Sequence, residues 1–192
     1  MSLWADPYHG LHCKEVGRHQ RQTQRHDKVQ DALASALRKV PKLEVLEVGH
    51  PNMGSEQRPE RAADIKLLYD GVQYMLDCCV TAAATPAKVK TIRTHLIPGA
   101  AAMQACQMKL QKYKHDMDPS SFVFIPFAVE SGGRIHPGAC KFLDAIGKKG
   151  PVERSAIRAA YRSIQRALMY KQTDQLVRFL QEYHRQRRFT RA

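Results

Sequence analysis

Between Ala63 and Val80 the chain alternates apolar and polar positions on either side of an Asp70-Gly71 pair. Alternation of period two predicts half-buried strands, and Asp-Gly supplies the positive-φ residues that a two-residue hairpin turn requires. Strands are therefore expected over 63–69 and 72–82. If Asp70 and Gly71 form the loop, Asp64 lies opposite Asp77, Lys66 opposite Met75, and Leu68 opposite Gln73. Ile65, Leu67, Tyr69, Val72, Tyr74, Leu76, Cys78 and Val80 then look into a core, while both carboxylates share the other face.

The remaining pattern surrounds that hairpin with helices. Val29, Leu33, Ala36, Leu37 and Val40 recur at helical spacing and predict a helix over 27–39, stopped by Pro41. Leu43 to Val48 reads as a short strand, and a Pro/Gly/Ser loop runs on to Arg61. Thr85-Pro86 ends the hairpin's second strand. A helix from Pro98 to about His115 would bury Met103, Cys106, Leu110 and Tyr113. Phe122 to Val129 is apolar enough for a buried strand, closed by Gly132-Gly133. Pro137 to Ile146 reads as a helix with Phe142, Leu143 and Ile146 inward. Two last helices are expected over 151–171, with Ile157, Tyr161, Ile164 and Leu168 inward, and over 173–188, with Leu176, Phe179, Leu180 and Tyr183 inward. The order predicts an α/β (α+β) fold with a mixed central sheet of about four strands flanked by helices, and a C-terminal helical extension. Three segments follow: a basic His/Cys-containing arm over 1–25, a core over 26–148, and a basic helical extension over 149–192 packed on it.

Length and composition narrow the class. The chain has 192 residues, 43% of them hydrophobic, which suits one domain with a real core. It lacks a long apolar run and a secretory signal, so a soluble protein without a membrane partner is expected. Five cysteines, an odd number without a CxxC pair, fit reduced thiols in an intracellular compartment. The formal net charge of +13 points to a polyanionic partner, nucleic acid first. Arg18, Arg21 and Arg25 cluster near the start and Arg185, Arg187, Arg188 and Arg191 near the end.

Two opposed carboxylates on a hairpin repel each other unless a cation lies between them. Hard divalent metals take such oxygen ligands, activate water and neutralise a scissile phosphate, and a nearby lysine stabilises the anionic transition state. Lys109 and Lys112, one helical turn apart, are the candidates; Glu47 is a further candidate ligand, and Glu130 reads as structural.

The residues and their order resemble the PD-(D/E)XK nuclease superfamily, and more narrowly the restriction-like endonuclease domain at the C-terminus of site-specific non-LTR retrotransposon proteins. Five pieces carry the resemblance: His9-x₃-Cys13, Arg25-His26-Asp27, Arg58-Pro59 ahead of Asp64 and then Asp77, Lys109-Leu110-Gln111-Lys112-Tyr113, and Phe124-Ile125-Pro126-Phe127 before Gly132. The resemblance implies a restriction-endonuclease-like core and a Mg²⁺- (or Mn²⁺-) dependent endonuclease that nicks DNA and leaves a 3′-hydroxyl. It implies catalytic Asp64, Asp77, Lys109 and Lys112, and nucleic-acid contacts from Arg25, His26, Arg58 and Tyr113. DNA is the implied partner, with RNA or a reverse-transcriptase module beside it, and the nucleus the implied location for a eukaryotic retroelement.

Two departures bear on this. The proline of Arg58-Pro59 is separated from Asp64, and Cys79 occupies the slot where the superfamily commonly has its lysine, which moves the third group to the helix of Lys109 and Lys112. Lys109 is expected as catalytic and Lys112 as supporting, with little to separate them. A structural Zn²⁺ is not expected, since His9 and Cys13 are a remnant without the upstream cysteine pair. The alternative is a nuclease-fold DNA- or RNA-binding module whose catalysis has decayed.

Overall fold

The computed structural model describes residues 18–51, 62–83, 85–94, 96–115 and 120–189, with backbone alone for 18–23, 86, 171–172, 174–176 and 178–189. Expectations placed on 1–17, on Arg58-Pro59, and on the side chains of Leu176, Phe179, Leu180 and Tyr183 lie outside the described residues. In chain order the elements are α1 (Arg18–Leu37), β1 (Leu43–Val48), β2 (Ile65–Tyr69), β3 (Val72–Thr81), α2 (Pro86–Ile92), α3 (Ala100–Tyr113), β4 (Val123–Glu130), α4 (Pro137–Gly147) and α5 (Pro151–Phe189). One sheet runs in the order β1-β2-β3-β4; its first two pairs are antiparallel and the last is parallel. The fold is α+β, with a four-stranded mixed sheet flanked by helices and a C-terminal helix.

The hairpin has the register its turn dictates. Lys66 pairs with Met75 and Leu68 with Gln73, and both Asp70 (φ 49°) and Gly71 (φ 76°) adopt the left-handed conformation of a tight turn. Ile65, Leu67, Tyr69, Leu76 and Cys78 are buried against Val29, Leu33 and Leu37 of α1, Phe142 and Leu143 of α4, and Ile157 and Ile164 of α5. Val72 departs from the expected core face: beside the turn it is 40% exposed.

The opposite face of the sheet is covered by α3. Its contact is built from Ala102 and Cys106 on Ala128, and from Tyr113 on Met75 and Ala63, with Phe124 meeting Tyr113 edge to face at 5.2 Å. The expected stripe is half right, because Met103 and Leu110 are each 40% exposed. Small residues fill the seam instead, and they let the helix approach the strands closely. The first turn of α3 follows Gly99, which has no side chain to cap it. Buried Glu130 supplies the cap from β4, its Oε1 accepting from the Ala101 and Ala102 N–H groups at 3.1 and 3.4 Å.

Other boundaries also differ from the pattern. Helix α1 starts at Arg18 rather than 27, so it runs well back into the expected arm. Thr85 ends the strand and also caps a new helix, α2, with Pro86 at its first position, where the missing N–H costs nothing. Residues 151–189 form one helix of 39 residues rather than two, since no Gly or Pro interrupts them after Pro151. No described helix is long and apolar enough to cross a membrane.

Removing the Glu130 cap strands two helix N–H groups in a buried seam. Glu130→Ala is expected to lower stability by about 1–2 kcal/mol in urea unfolding, and Glu130→Gln, which keeps an acceptor oxygen, by less.

Candidate functional site

Asp64 stands just before β2 and is held through backbone and side chain together. Its N–H donates to the Leu76 carbonyl at 2.9 Å; its own carbonyl accepts from the Gly49 N–H at 2.9 Å and from Gln30 Nε2 at 3.1 Å. Gly49 makes that approach at φ 125°, where a side chain would be strained. Oδ2 of Asp64 accepts from the Cys78 N–H at 2.5 Å and from His26 Nε2 at 3.0 Å.

Asp77 sits across the hairpin on β3, 2% exposed, on the face that α3 covers. The Lys109 ammonium, reaching down from α3, lies 2.8 Å from both carboxylate oxygens and donates to Oδ1. Oδ2 shares the ion pair but takes no hydrogen bond. Burial raises the Asp77 pKa to about 6; Lys109 opposes that rise, and the charge of neighbouring Asp64 adds to it. Burial alone would lower the Lys109 pKa, but the charge and hydrogen bond of Asp77 reverse the sign and raise it. Lys109 therefore stays protonated at neutral pH.

His26 is the second cation. Its Nε2 faces Asp64 Oδ2 at 3.0 Å and its Nδ1 faces Asp27 Oδ1 at 3.2 Å. Ionised carboxylates only accept, so both ring nitrogens must carry protons. The hydrogen bond to Asp64 is the largest cause of a pKa raised to about 9, followed by the charges of Asp64 and Asp27, against the opposing effect of burial. Two carboxylates and two cations, from α1, the hairpin and α3, thus form one group.

Beside it opens a cleft of about 760 Å³, lined among others by His26 and Gln30 of α1, Gly49 and His50 after β1, Cys79 of β3 and Lys109. Cys79 faces the same side as Asp77, and burial pushes its thiol up to about 11, so it is neutral. The expected site residues do not all converge. Lys112 donates to the Tyr113 hydroxyl at 3.0 Å and stands 4.6 Å from that ring's centroid, and the Tyr113 hydroxyl donates to the Ala62 carbonyl. Tyr113 and Arg25, expected at a nucleic-acid surface, are both buried. Glu47 is exposed and pairs in register with Lys66 beyond a bulge at Leu46. Arg58, His9 and Cys13 lie outside the described residues. Sequence reasoning missed that His26 and Gln30 both serve Asp64; their i, i+4 spacing on one helix face was the available signal.

The donor chemistry fits a hard divalent cation. Asp64 and Asp77 are both buried, and Asp77 Oδ2 lies in the ion pair with Lys109 without accepting a hydrogen bond. Among the described residues no group of three His, Cys, Asp or Glu side chains is arranged to hold a metal, and the pair Asp64 and Asp77 is what the hairpin presents. Mg²⁺ commonly binds through one or two carboxylates, with water and substrate phosphate filling the rest.

Since the folded-state pKa of His26 lies above its ordinary 6.5, its extra stability is complete below that pH and is lost as pH rises through about 9. The stability gap between wild type and His26→Gln, measured by urea unfolding, is expected to be widest near the ordinary value and to shrink toward pH 9 and above. A gap that stays constant over that range contradicts the ion pair. The chain matches no protein-family model, and no curated protein matches it.

Proposed function

We propose that this protein is a Mg²⁺- or Mn²⁺-dependent DNA endonuclease that hydrolyses a phosphodiester bond and leaves a 3′-hydroxyl, of the restriction-like kind its sequence resembles. One observation carries the reading: Asp64, Asp77 and Lys109, contributed by separate elements, meet beside a cleft in a chain of net charge +13. A bound divalent cation supplies Lewis acidity toward the phosphate and makes water a better nucleophile. Asp64 and Asp77 would hold it. Gly49, Gln30, Cys78 and His26 fix Asp64 beforehand, so little reorganisation is needed at the moment of reaction. Lys109, being protonated, is no general base; it neutralises charge growing on the phosphoryl oxygens. Cys79 is neutral and lends no charge, which leaves that task to Lys109. An intracellular or nuclear location and a reverse-transcriptase partner belong to the same proposal.

The second reading, a binding module that has lost catalysis, is favoured by a specific observation. Lys109 and His26 already satisfy the charge of both carboxylates, as a metal otherwise would.

Nicking of supercoiled plasmid in Mg²⁺ separates the two. Asp64→Asn and Asp77→Asn should bring nicking to background while plasmid binding persists, and Lys109→Ala should slow it by about 10²–10³-fold. Undiminished nicking by either Asn variant removes the reading. Binding without cleavage by wild type in both Mg²⁺ and Mn²⁺ establishes the second.

A further inference from the structure

Away from the cleft, α5 presents four arginines at a spacing of four residues: Arg154, Arg158, Arg162 and Arg166, all exposed. Each step along a helix of 3.6 residues per turn advances about 6 Å and turns about 40°, so the four form a slowly winding ridge about 18 Å long. Its direction is opposite to the buried stripe of Ala156, Ile157, Ala160, Ile164 and Leu168, which packs against the core. The ridge therefore faces outward. No acidic residue occurs from 154 to 173, and among the described residues none of the four arginines is in an ion pair.

The ridge starts beside a small cavity of about 260 Å³ between the end of α4 and the start of α5, bordered by Lys148, Arg154, Arg158 and Tyr161. Lys149, next along, is tied at 2.8 Å to Asp70 in the hairpin turn. Charge of one sign is thus laid in a line on a rigid support. Four cations held side by side repel each other; Asp144 borders the same cavity as Arg154 and Arg158 without pairing with either, and the cavity does not reach Arg162 or Arg166. A duplex carries one negative charge per about 1.7 Å of axis, so a ridge of this length runs beside roughly ten phosphates. Arginine suits such contacts because its fork matches phosphate geometry.

We propose that Arg154, Arg158, Arg162 and Arg166 form a docking ridge for the phosphate backbone of double-stranded DNA, holding the duplex independently of its sequence. The inference rests on DNA being the partner and not on cleavage. Four phosphate contacts contribute about −3.6 to the slope of log affinity against log salt.

The test measures fluorescence anisotropy of a labelled random-sequence duplex across a salt series, with circular dichroism to confirm folding. Arg158→Ala/Arg162→Ala should weaken binding by about tenfold or more at low salt and reduce the slope by about two. Arg38→Ala/Lys39→Ala removes equal charge from an exposed site at the end of α1 and should change binding little. Equal losses in both pairs overturn the ridge, as does a loss confined to duplex RNA. A ridge variant that binds like wild type, while wild type nicks plasmid, overturns this inference alone. Wild type that binds through the ridge and never nicks overturns only the nuclease reading; absence of duplex affinity overturns both.

Discussion

Two carboxylates facing each other across a hairpin and cut off from water are unstable alone, and the structure answers that repulsion with two cations from different layers. His26 reaches Asp64 from α1, and Lys109 reaches Asp77 from α3. The helices on the two sides of the sheet are thereby fastened to the same pair of side chains. An apolar interface tolerates small slips, but hydrogen-bonded charges in a low-dielectric setting do not, since a displaced partner leaves a buried ion uncompensated. The quartet fixes how the two layers sit on the hairpin, and the geometry of the cleft follows from it.

The hairpin was legible because its determinants are local. Asp70-Gly71 sets the turn, the turn sets the register, and the register puts Asp64 across from Asp77 without any knowledge of the rest of the chain. The four-stranded architecture followed from hydrophobic periodicity in the same way. What failed was what depends on partners. Thr85-Pro86 signals the end of a strand and equally the start of a helix, and only the path of the chain decides between them. The break expected between 171 and 173 has no Gly or Pro behind it, and α5 passes through it. Met103 and Leu110 fit a helical stripe by spacing, yet the sheet beneath α3 accepts alanine and cysteine there.

In the site, the carboxylates were readable and their partners less so. Lys109 and Lys112 are equivalent on spacing alone. They differ because Tyr113 occupies the seam and draws Lys112 to its own hydroxyl, while Lys109 points down the open side of the ring toward Asp77. Cys79 carries no charge beside Asp77, since burial pushes its thiol up to about 11. Charge also divides by role: His26 and Lys109 are engaged with internal partners, whereas Arg154, Arg158, Arg162 and Arg166 of α5 are exposed.

The two ion pairs join residues 38 and 32 positions apart in sequence. Closing those loops costs more chain entropy than closing the two-residue turn of the hairpin. An isolated hairpin would carry both acids and neither counterion. The charge balance at Asp64 and Asp77 is therefore a property of α1, the hairpin and α3 together, and the hairpin by itself does not possess it.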